Sequence, residues 1–427
     1  MTNKNFKLYI IFPFALVLLF QTAAFSQTAT LSPYSRYGIG DLLFNGFSHQ
    51  RAMGGLSVGI QQSAYLNFGN PASYAADSIV MFQLGLNLEA MKFANNDVSV
   101  SKTNGNIAYI SMGFPLIKNH WYLNVGMIPM SAVGYKNILM TDVNYPGNAN
   151  FLYEGSGGYN RYYGGMGFRL SKKLTIGFNA SYLYGTSTHT SKVEFSESGF
   201  YNTQIQNTTT LSDIYLTGGL QYSTTTKKGL QVTFGLSGEP SQNINAKRDL
   251  VWLNYTSNGS FPVPKDTVLF EDGEKGDVKL PLNAGFGFSV SRKNHWLVGA
   301  EVKMQKWEDF TYYGINDSLN NSYRVSIGGQ WIPDDNSTRY YNKVIYRAGA
   351  YYSSGYLELN NEAINDIGVT FGLGIPLRGK PYFSHLDLAF EFGREGTTNN
   401  NLIRERYARL VIGLTFREDW FRRTKFD

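Results

Sequence analysis

The residues best suited to catalysis are few and scattered along this chain of 427 residues. Cysteine is absent, which excludes thiolate metal sites, a cysteine nucleophile and disulfides. His49, His120, His189, His295 and His385 are the five histidines, and none has partners spaced as in a catalytic triad. Neither a Gly-x-Ser-x-Gly nor a His-Glu-x-x-His motif occurs. The sequence therefore predicts a protein that is not an enzyme and has no cofactor.

A Lys-Asn-His-Trp tetrad occurs twice, at residues 118–121 and 293–296. Neither histidine has a second ligand at a suitable spacing, so we predict no metal site. Each tetrad stands between two segments with alternating side chains. We interpret it as a hairpin turn that places Trp121 and Trp296 at a membrane interface, where amphipathic rings are favoured.

From Val80 onward, segments of about ten residues alternate apolar side chains with small or polar ones, as transmembrane strands do. In one of them, Leu174, Ile176 and Phe178 share one face, and Thr175 and Gly177 share the other. A period of two indicates a β-strand, and an apolar face opposite a polar one is typical of strands that cross a membrane. Fourteen such segments predict an all-β fold, a 14-stranded antiparallel transmembrane β-barrel.

The connections between these segments alternate between short turns and long stretches, as expected for periplasmic and extracellular ends. The long connections are predicted at about residues 132–154, 187–210 and 244–277. Composition agrees with a barrel: 45 Gly, 30 Tyr and 29 Phe accompany only 16% charged residues. The net charge of +6 is spread along the chain, so nucleic acid is not a predicted partner.

Charged side chains in the alternating segments fall on the face opposite the apolar one, which is the lumen face of the predicted barrel. Inside a barrel, opposite charges most often pair with one another or anchor a plug, and ligand selection is the alternative. The main lumen charges predicted are Glu89, Glu301, Lys303, Arg347, Glu391 and Arg409.

The N-terminus has the parts of a secretory signal. Lys4 and Lys7 precede an apolar run at residues 8–20, and Ala24-Phe25-Ser26 forms a small-residue cleavage site. The run is shorter than the roughly 20 residues of a membrane-spanning helix. We therefore predict export to the outer membrane of a Gram-negative cell. The predicted organisation is a signal peptide at 1–26, an N-terminal plug or hatch at 27–79, the barrel at 80–418 and a periplasmic C-terminal tail at 419–427.

Residues 27–79 do not alternate, and irregular backbone at membrane depth survives only where protein or water satisfies it. We therefore place them in the lumen. They contain Arg51-Ala52-Met53-Gly54-Gly55 and then Asn70-Pro71-Ala72, an order that resembles the N-terminal hatch of FadL-type hydrophobic-compound transporters and their PorV relatives. The motifs cover only residues 50–75, and the rest agrees in architecture. The stretch at 32–38 also resembles starts of outer-membrane proteins from Bacteroidota.

The resemblance implies passive uptake of small hydrophobic, fatty-acid-like compounds. Its hatch would comprise Gly54, Gly55, Asn70, Pro71 and Ala72, and would change conformation before the compound leaves sideways through a gap in the wall.

A kinked strand would make that gap, and Gly126 and Pro129 are the candidates, because Pro129 cannot donate a ladder hydrogen bond. Alternatively, Pro129 simply ends its strand at the extracellular rim. The PorV resemblance allows a different function, an accessory barrel docked to an outer-membrane complex for secretion or barrel assembly. A sealed lumen and a protein partner on the long loops would distinguish that function.

Overall fold

A computed structural model describes the chain at residues 30–44, 46–96, 98–143, 147–195, 199–258, 261–377 and 384–418. The predicted signal peptide and the predicted C-terminal tail lie outside these residues. Among the residues described, no helix is both long and apolar enough to cross a membrane.

Residues 30–79, the N-terminal segment, contain only short elements. These are a 3-10 helix at Pro33–Arg36, strand β1 at Asp41–Leu42, the one-turn helix α1 at Ser48–Arg51 and a 3-10 helix at Pro71–Ala76. From Val80 onward the described chain is mostly strand. The strands are β2 Val80–Ala94, β3 Ser99–Ile117, β4 Trp121–Val143, β5 Gly147–Arg169, β6 Leu174–Phe195, β7 Asn202–Thr225, β8 Gln231–Glu239, β9 Gln242–Asn258, β10 Phe261–Leu280, β11 Asn283–Arg292, β12 Trp296–Gln305, β13 Thr311–Tyr312, β14 Ile315–Asn316, β15 Ser322–Trp331, β16 Ile345–Ser353, β17 Glu358–Leu359, β18 Glu362–Ala363, β19 Asp366–Leu377, β20 Ser384–Glu395 and β21 Arg404–Glu418. Three further 3-10 helices lie at Trp307–Asp309, Tyr340–Lys343 and Asn399–Asn401.

Fourteen of these strands form a closed antiparallel wall, which confirms the predicted fold class. They are β2 to β8, β11, β12, β15, β16 and β19 to β21. Each pairs with the next of these fourteen strands along the chain, and β2 pairs with β21 from Val80 opposite Glu418 to Ala94 opposite Arg404, which closes the cylinder. Alternation follows the expected faces: in β2, Gln83, Asn87 and Glu89 are buried, whereas Leu88 is exposed on the outside.

The three long connections predicted from the sequence are wrong, because the structure has strands there. The range 132–154 belongs mostly to β4 and β5, 187–210 to β6 and β7, and 244–277 to β9 and β10. These stretches lack a regular alternation of apolar and polar side chains, and the part in β6 and β7 is rich in threonine and other polar residues. Thr188 and Thr208 illustrate the cause: their hydroxyls meet across β6 and β7 at 3.3 Å, in a sheet with water-compatible residues on both sides.

The wall is much taller on one side than on the other. Strands β4 to β7 have 22 to 24 residues, whereas β11, β12, β15 and β16 have 9 or 10. Roughly 9–11 tilted residues cross a bilayer. The upper halves of β4 to β7, together with β9 and β10, therefore rise above the membrane on the side opposite the short turns, which is the predicted extracellular side.

The described residues form three buried apolar clusters, of which the smallest comprises Met53, Leu56, Ile60 and Leu297. The plug cluster lies towards the short turns and packs the N-terminal segment against the wall; it includes Phe47, Leu66, Phe68, Tyr74, Met81, Tyr109, Tyr122 and Tyr163. The cap cluster lies towards the extracellular end and joins the tall strands to the long inward-folded loops; it includes Met130, Tyr159, Leu183, Tyr215, Leu280, Trp307, Phe310, Leu357 and Ile364. Together they leave the interior free mainly at mid-height.

Candidate functional site

Glu301 on β12 fixes the N-terminal segment to the wall. Its carboxylate accepts hydrogen bonds from the backbone amides of Ser57 at 2.7 Å and Val58 at 2.6 Å. Lys303 donates to Glu301 at 2.8 Å and to the Ser57 hydroxyl at 2.9 Å. This lumen charge therefore anchors the N-terminal segment, since it satisfies two buried donors that the irregular chain leaves open.

Asn70 is a second anchor and is fully buried. Its amide donates to the carbonyls of Val58 at 2.8 Å, Leu236 at 3.2 Å and Leu220 at 3.3 Å, and so joins the segment to β7 and β8. Its side-chain oxygen accepts from the Ala72 amide at 3.1 Å and caps the 3-10 helix that Pro71 begins.

Gly54 and Gly55 form a turn with positive φ values of 72° and 89°, a conformation that favours glycine. The Gly54 amide donates to the Thr370 hydroxyl at 2.8 Å, and a Cβ at Gly54 would press on the carbonyls of Ile327 and Ala350 in the wall. The residues predicted as a hatch therefore lie where the N-terminal segment is in direct contact with the wall.

The remaining predicted lumen charges lie in buried ion-pair networks. Arg409 pairs with Glu89 and, at 3.1 Å, with Glu391. Arg347 pairs with Asp387 at 2.6 Å and donates to the Tyr65 hydroxyl at 2.9 Å. Each guanidinium therefore has its counter-charge inside the barrel, in a place where an isolated charge would be costly.

His49 of the N-terminal segment extends the Arg347 network. Its ring stacks on that of Tyr65 with a centroid distance of 4.3 Å. Burial, followed by the nearby Arg347 guanidinium, holds the pKa of His49 well below its usual range, so the ring stays neutral at physiological pH.

The Arg347–Asp387 pair gives a stability prediction, because both side chains are almost completely buried. Asp387→Ala leaves the guanidinium without its counter-charge, and we expect a loss of about 3–5 kcal/mol in the free energy of unfolding. Urea unfolding in lipid vesicles measures it, with the exposed Asp335→Ala as the control. An unchanged urea midpoint for Asp387→Ala would show that this pair does not hold the wall and plug together.

Strands β3 and β4 pair only near the short turn that joins them, which leaves a gap in the wall further up; we call this region the parted wall. Their described ladder runs from Ile117 opposite Trp121 to Ile110 opposite Met127 and ends there. Both strands carry a β-bulge at this height. In the ladder between β2 and β3, Ala108 is an extra residue of β3. In the ladder between β4 and β5, Met130 is an extra residue of β4. Since bulges bend their strands, two at one level turn the upper strands away from each other.

The predicted kink residues lie at this point. Gly126 is still within the ladder, opposite Ser111, and Pro129 lies opposite Asn160 of β5, just below the Met130 bulge. The alternative in which Pro129 ends its strand is wrong, because β4 continues to Val143.

The N-terminal segment partly fills the parted wall. Strand β1 pairs with β4, Asp41 opposite Ala132 and Leu42 opposite Ser131, and the Leu43 amide donates to the Met130 carbonyl at 3.0 Å. Residues 39–44, the gap strap, therefore take the place next to β4 that β3 leaves. Burial raises the pKa of Asp41 to about 6.

A cavity of about 270 Å³ lies behind the gap strap, between the plug cluster and the cap cluster. Its lining reaches the gap at Ile107 and Ala108 of β3 and at Met130 of β4. Trp307 belongs to its lining on the cap side and Phe68 on the plug side. The volume lies near the lower end of small-molecule pockets.

The ring of Phe44 projects into this cavity among cations. The centroid lies 5.2 Å from the Arg324 guanidinium carbon, 5.4 Å from that of Arg51 and 5.7 Å from the Lys303 ammonium. Cations at these distances are attracted to an aromatic face. The cavity can therefore hold a compact apolar or aromatic group, and its lining carries both cationic side chains and acidic ones, among them Glu89, Asp366 and Glu391.

Sequence reasoning placed Gly126 and Pro129 beside the gap and the lumen charges inside the barrel, but it missed the gap strap and Phe44. A two-residue strand such as β1 has no periodicity that could be recognised. The bulge at Met130 had one signal, the adjacent Pro129. Among the residues described, no group of three or more His, Cys, Asp or Glu side chains could hold a metal ion.

Comparisons with known proteins agree on the fold. The Pseudomonas putida toluene transporter TodX superposes with a TM-score of 0.58 at 15% identity, covering 90% of this chain and 100% of that one. The Ralstonia pickettii toluene transporter TbuX gives 0.57 at 14%, covering 88% and 99%. A Pseudomonas aeruginosa FadL homologue gives 0.55 at 10%, covering 87% and 97%. At these identities the likeness concerns the fold, and at that level it confirms the resemblance to FadL-type barrels.

Comparisons of the sequence alone gave a single match. No curated protein matches this chain. One family model does: the family described as BamG matches residues 7–427.

Proposed function

The chain belongs to the BamG family and has the fold of hydrophobic-compound channels, and we propose that it is a passive outer-membrane channel for small hydrophobic compounds. The observation that carries the proposal is the parted wall between β3 and β4, with a cavity directly behind it. A cavity that reaches the membrane sideways lets an apolar compound enter lipid without crossing the packed plug.

The cavity favours compact compounds over long chains. Its volume of about 270 Å³ suits a molecule the size of a single aromatic ring with substituents. The rings of Phe44, Phe68 and Trp307 line the cavity and would contact an aromatic guest. Toluene is the compound named for two of the similar structures, and we propose small aromatic compounds for this chain as well.

In this proposal the gating element is the gap strap. Glu301, Asn70 and Gly54 tie the plug to the wall through buried hydrogen bonds. The strap is held by its two residue pairs with β4 and by hydrogen bonds such as that of the Ser131 hydroxyl to the Ile39 carbonyl at 2.8 Å. We choose it as the gate because it lies in the opening of the wall itself, in front of the cavity.

Uptake of a radiolabelled monoaromatic compound tests the function, in cells that express the protein and lack other porins. We expect uptake above that of cells with an empty vector, and a loss of about tenfold for Ile107→Trp, which fills the mouth of the gap. Val100→Trp is the matched control, because Val100 lies on the same strand with a similar exposure, 46% against 44% for Ile107. Uptake equal to the empty vector would reject the channel function.

A docking role as an accessory barrel is the second candidate. The one-sided extension of β4 to β7, β9 and β10 favours it, because it exposes large apolar residues above the membrane, among them Ile138, Leu139 and Phe270. A docking role would not use the cavity at the gap. We therefore propose transport as the first candidate function and docking as the second. Co-purification from mildly solubilised outer membranes tests the second candidate: a stoichiometric protein partner supports it, and a monomer counts against it.

A further inference from the structure

Three acidic residues stand side by side at the end of the barrel away from the short turns. Asp366 of β19 lies directly opposite Glu395 of β20, and Glu395 lies directly opposite Glu405 of β21. Their side chains therefore share the interior face of the wall, and we call the three residues the acidic row. Like charges at directly opposite positions of neighbouring strands repel each other, so this arrangement is unfavourable unless something neutralises it.

The arginines near the acidic row do not balance its charge. The only ion pair that the row makes among the residues described joins Asp366 to Arg324, whose nearest oxygen and nitrogen are 4.0 Å apart. Arg409 is already paired with two other carboxylates, those of Glu89 and Glu391. The charges that interact around the row are the six carboxylates of Asp41, Glu89, Asp366, Glu391, Glu395 and Glu405 and the three guanidinium groups of Arg51, Arg324 and Arg409. With all of them ionised, three negative charges lack a counter-charge, which is costly inside a protein.

Glu405 is completely buried, and its carboxylate is only half satisfied. One oxygen accepts a hydrogen bond from the Ser32 hydroxyl at 2.6 Å. The other, Oε2, has no hydrogen-bond partner among the residues described. A buried oxygen without a donor is unfavourable, so this position favours the arrival of a donor, and the excess of negative charge favours a donor that is a cation.

The ring of Tyr34 lies beside the acidic row. It packs against Gly396, the residue that follows Glu395, where an added Cβ would come within 2.9 Å of the Tyr34 hydroxyl oxygen. That hydroxyl donates to the Ile403 carbonyl, which fixes the ring in place. Tyr34 and Glu395 both belong to the lining of the cavity behind the gap strap. The row is therefore next to a space that a small molecule can occupy.

A second pair of rings lies in the same part of the cavity. The Tyr356 hydroxyl donates to the Gly40 carbonyl at 2.9 Å, beside Asp41 of the gap strap. Its ring stacks on that of Trp307 with a centroid distance of 4.6 Å. Both rings line the cavity together with Asp41. Aromatic faces attract ammonium groups, and carboxylates beside them supply the counter-charge.

We propose that the acidic row binds the ammonium group of a small organic cation held in the cavity. The group would donate to Glu395 and to the free oxygen of Glu405, and its charge would replace the one that the arginines do not supply. The inference rests on the proposed function, because it concerns the same cavity, and it names small amines as the compounds that the channel selects. An uncharged hydrocarbon offers the row neither a donor nor a charge.

The test is isothermal titration calorimetry of the purified full-length protein in detergent at neutral pH, with benzylammonium and toluene as the probes. Benzylammonium is toluene with an ammonium group on its methyl carbon, so the two differ in the group that the row would bind. We expect benzylammonium to bind about tenfold more tightly or more, the effect of one buried charge pair. Benzyl alcohol, which has a similar size and no charge, is expected to bind like toluene.

Glu395→Gln and Glu405→Gln each remove one charge of the row and keep the shape of the side chain. We expect either variant to bind benzylammonium about tenfold more weakly or less well still, with the affinity for toluene unchanged. Glu271→Gln is the matched control, because it removes an exposed carboxylate on β10. Heat-modifiable mobility in electrophoresis checks that each variant has a folded barrel.

Three outcomes overturn the proposal, and they separate it from the proposed function. If toluene binds and benzylammonium binds no more tightly, the cavity holds hydrophobic compounds but the row does not select amines. If the wild type and both glutamine variants bind benzylammonium equally, the row is neutralised by protons and takes no part in binding. If neither compound binds, the inference and the proposed function fail together.

Discussion

Stapling the gap strap to β4 is expected to abolish most transport. Leu42→Cys with Ser131→Cys places two cysteines directly opposite each other. The hydrogen bond from Leu43 to Met130 makes the pair 42 and 131 a non-hydrogen-bonded one, whose Cα separation of about 4.5 Å suits a disulfide. Because the native chain has no cysteine, no other disulfide competes.

Uptake of the monoaromatic compound by the oxidised double variant is expected to fall about tenfold or more, because the strap can no longer leave the gap. A reductant is expected to restore uptake in the same cells, which separates the effect of the staple from that of the substitutions. Thr311→Cys with Asn316→Cys is the matched control, since it staples the β13–β14 hairpin away from the gap. Full uptake by the oxidised strap variant would show that the compound does not pass β1.

Removing Glu301 is expected to release the plug from the wall without unfolding the barrel. Glu301→Ala leaves the buried amides of Ser57 and Val58 without an acceptor and Lys303 without its counter-charge. Each orphaned donor costs about 1–3 kcal/mol. We therefore expect these two amides to exchange hydrogen about 100-fold faster or more, since each 1.4 kcal/mol is a factor of ten.

Hydrogen-exchange mass spectrometry of the peptide that contains Ser57 and Val58 measures this release. The exposed Glu271→Ala serves as the control. If the released plug also opens a path, the ion conductance of single channels in planar bilayers is expected to rise. Unchanged exchange at Ser57 and Val58 would mean that other contacts, such as those of Asn70, hold the plug alone.

The wall could be predicted from the sequence because its two faces meet different environments. In β6, Ile176 and Phe178 face outward, and Thr175 and Asn179 are buried inside, so the period of two is visible at once. Above the membrane both faces of the same strand meet polar surroundings. Residues 187–192 lose the alternation there, so the sequence predicts a connection where the strand in fact continues.

The candidate site could be predicted only in part. The alternation showed that Glu301 and Arg409 point into the lumen, but the partner of Glu301 is an irregular turn about 244 positions earlier in the chain, which no local pattern connects to it. Pro129 marked a departure from regular pairing, because proline cannot donate to a ladder. The strand that fills the opening, β1, is fixed by contacts with β4 and not by its own two residues.

The predicted domain limits and the predicted origin of the protein stay predictions. The described chain agrees with a change of character at Val80, where β2 begins after the irregular N-terminal segment. The alternative of an accessory role is tested by the co-purification experiment.

Native mass spectrometry of the protein, extracted from outer membranes in a mild detergent, is the measurement that tests the central claim most directly. We predict a barrel that carries one small hydrophobic molecule. We also predict that Ile107→Trp loses this molecule, whereas Val100→Trp keeps it. A barrel free of any such molecule in the wild type and in both variants would contradict the claim that the cavity behind the parted wall binds and passes hydrophobic compounds.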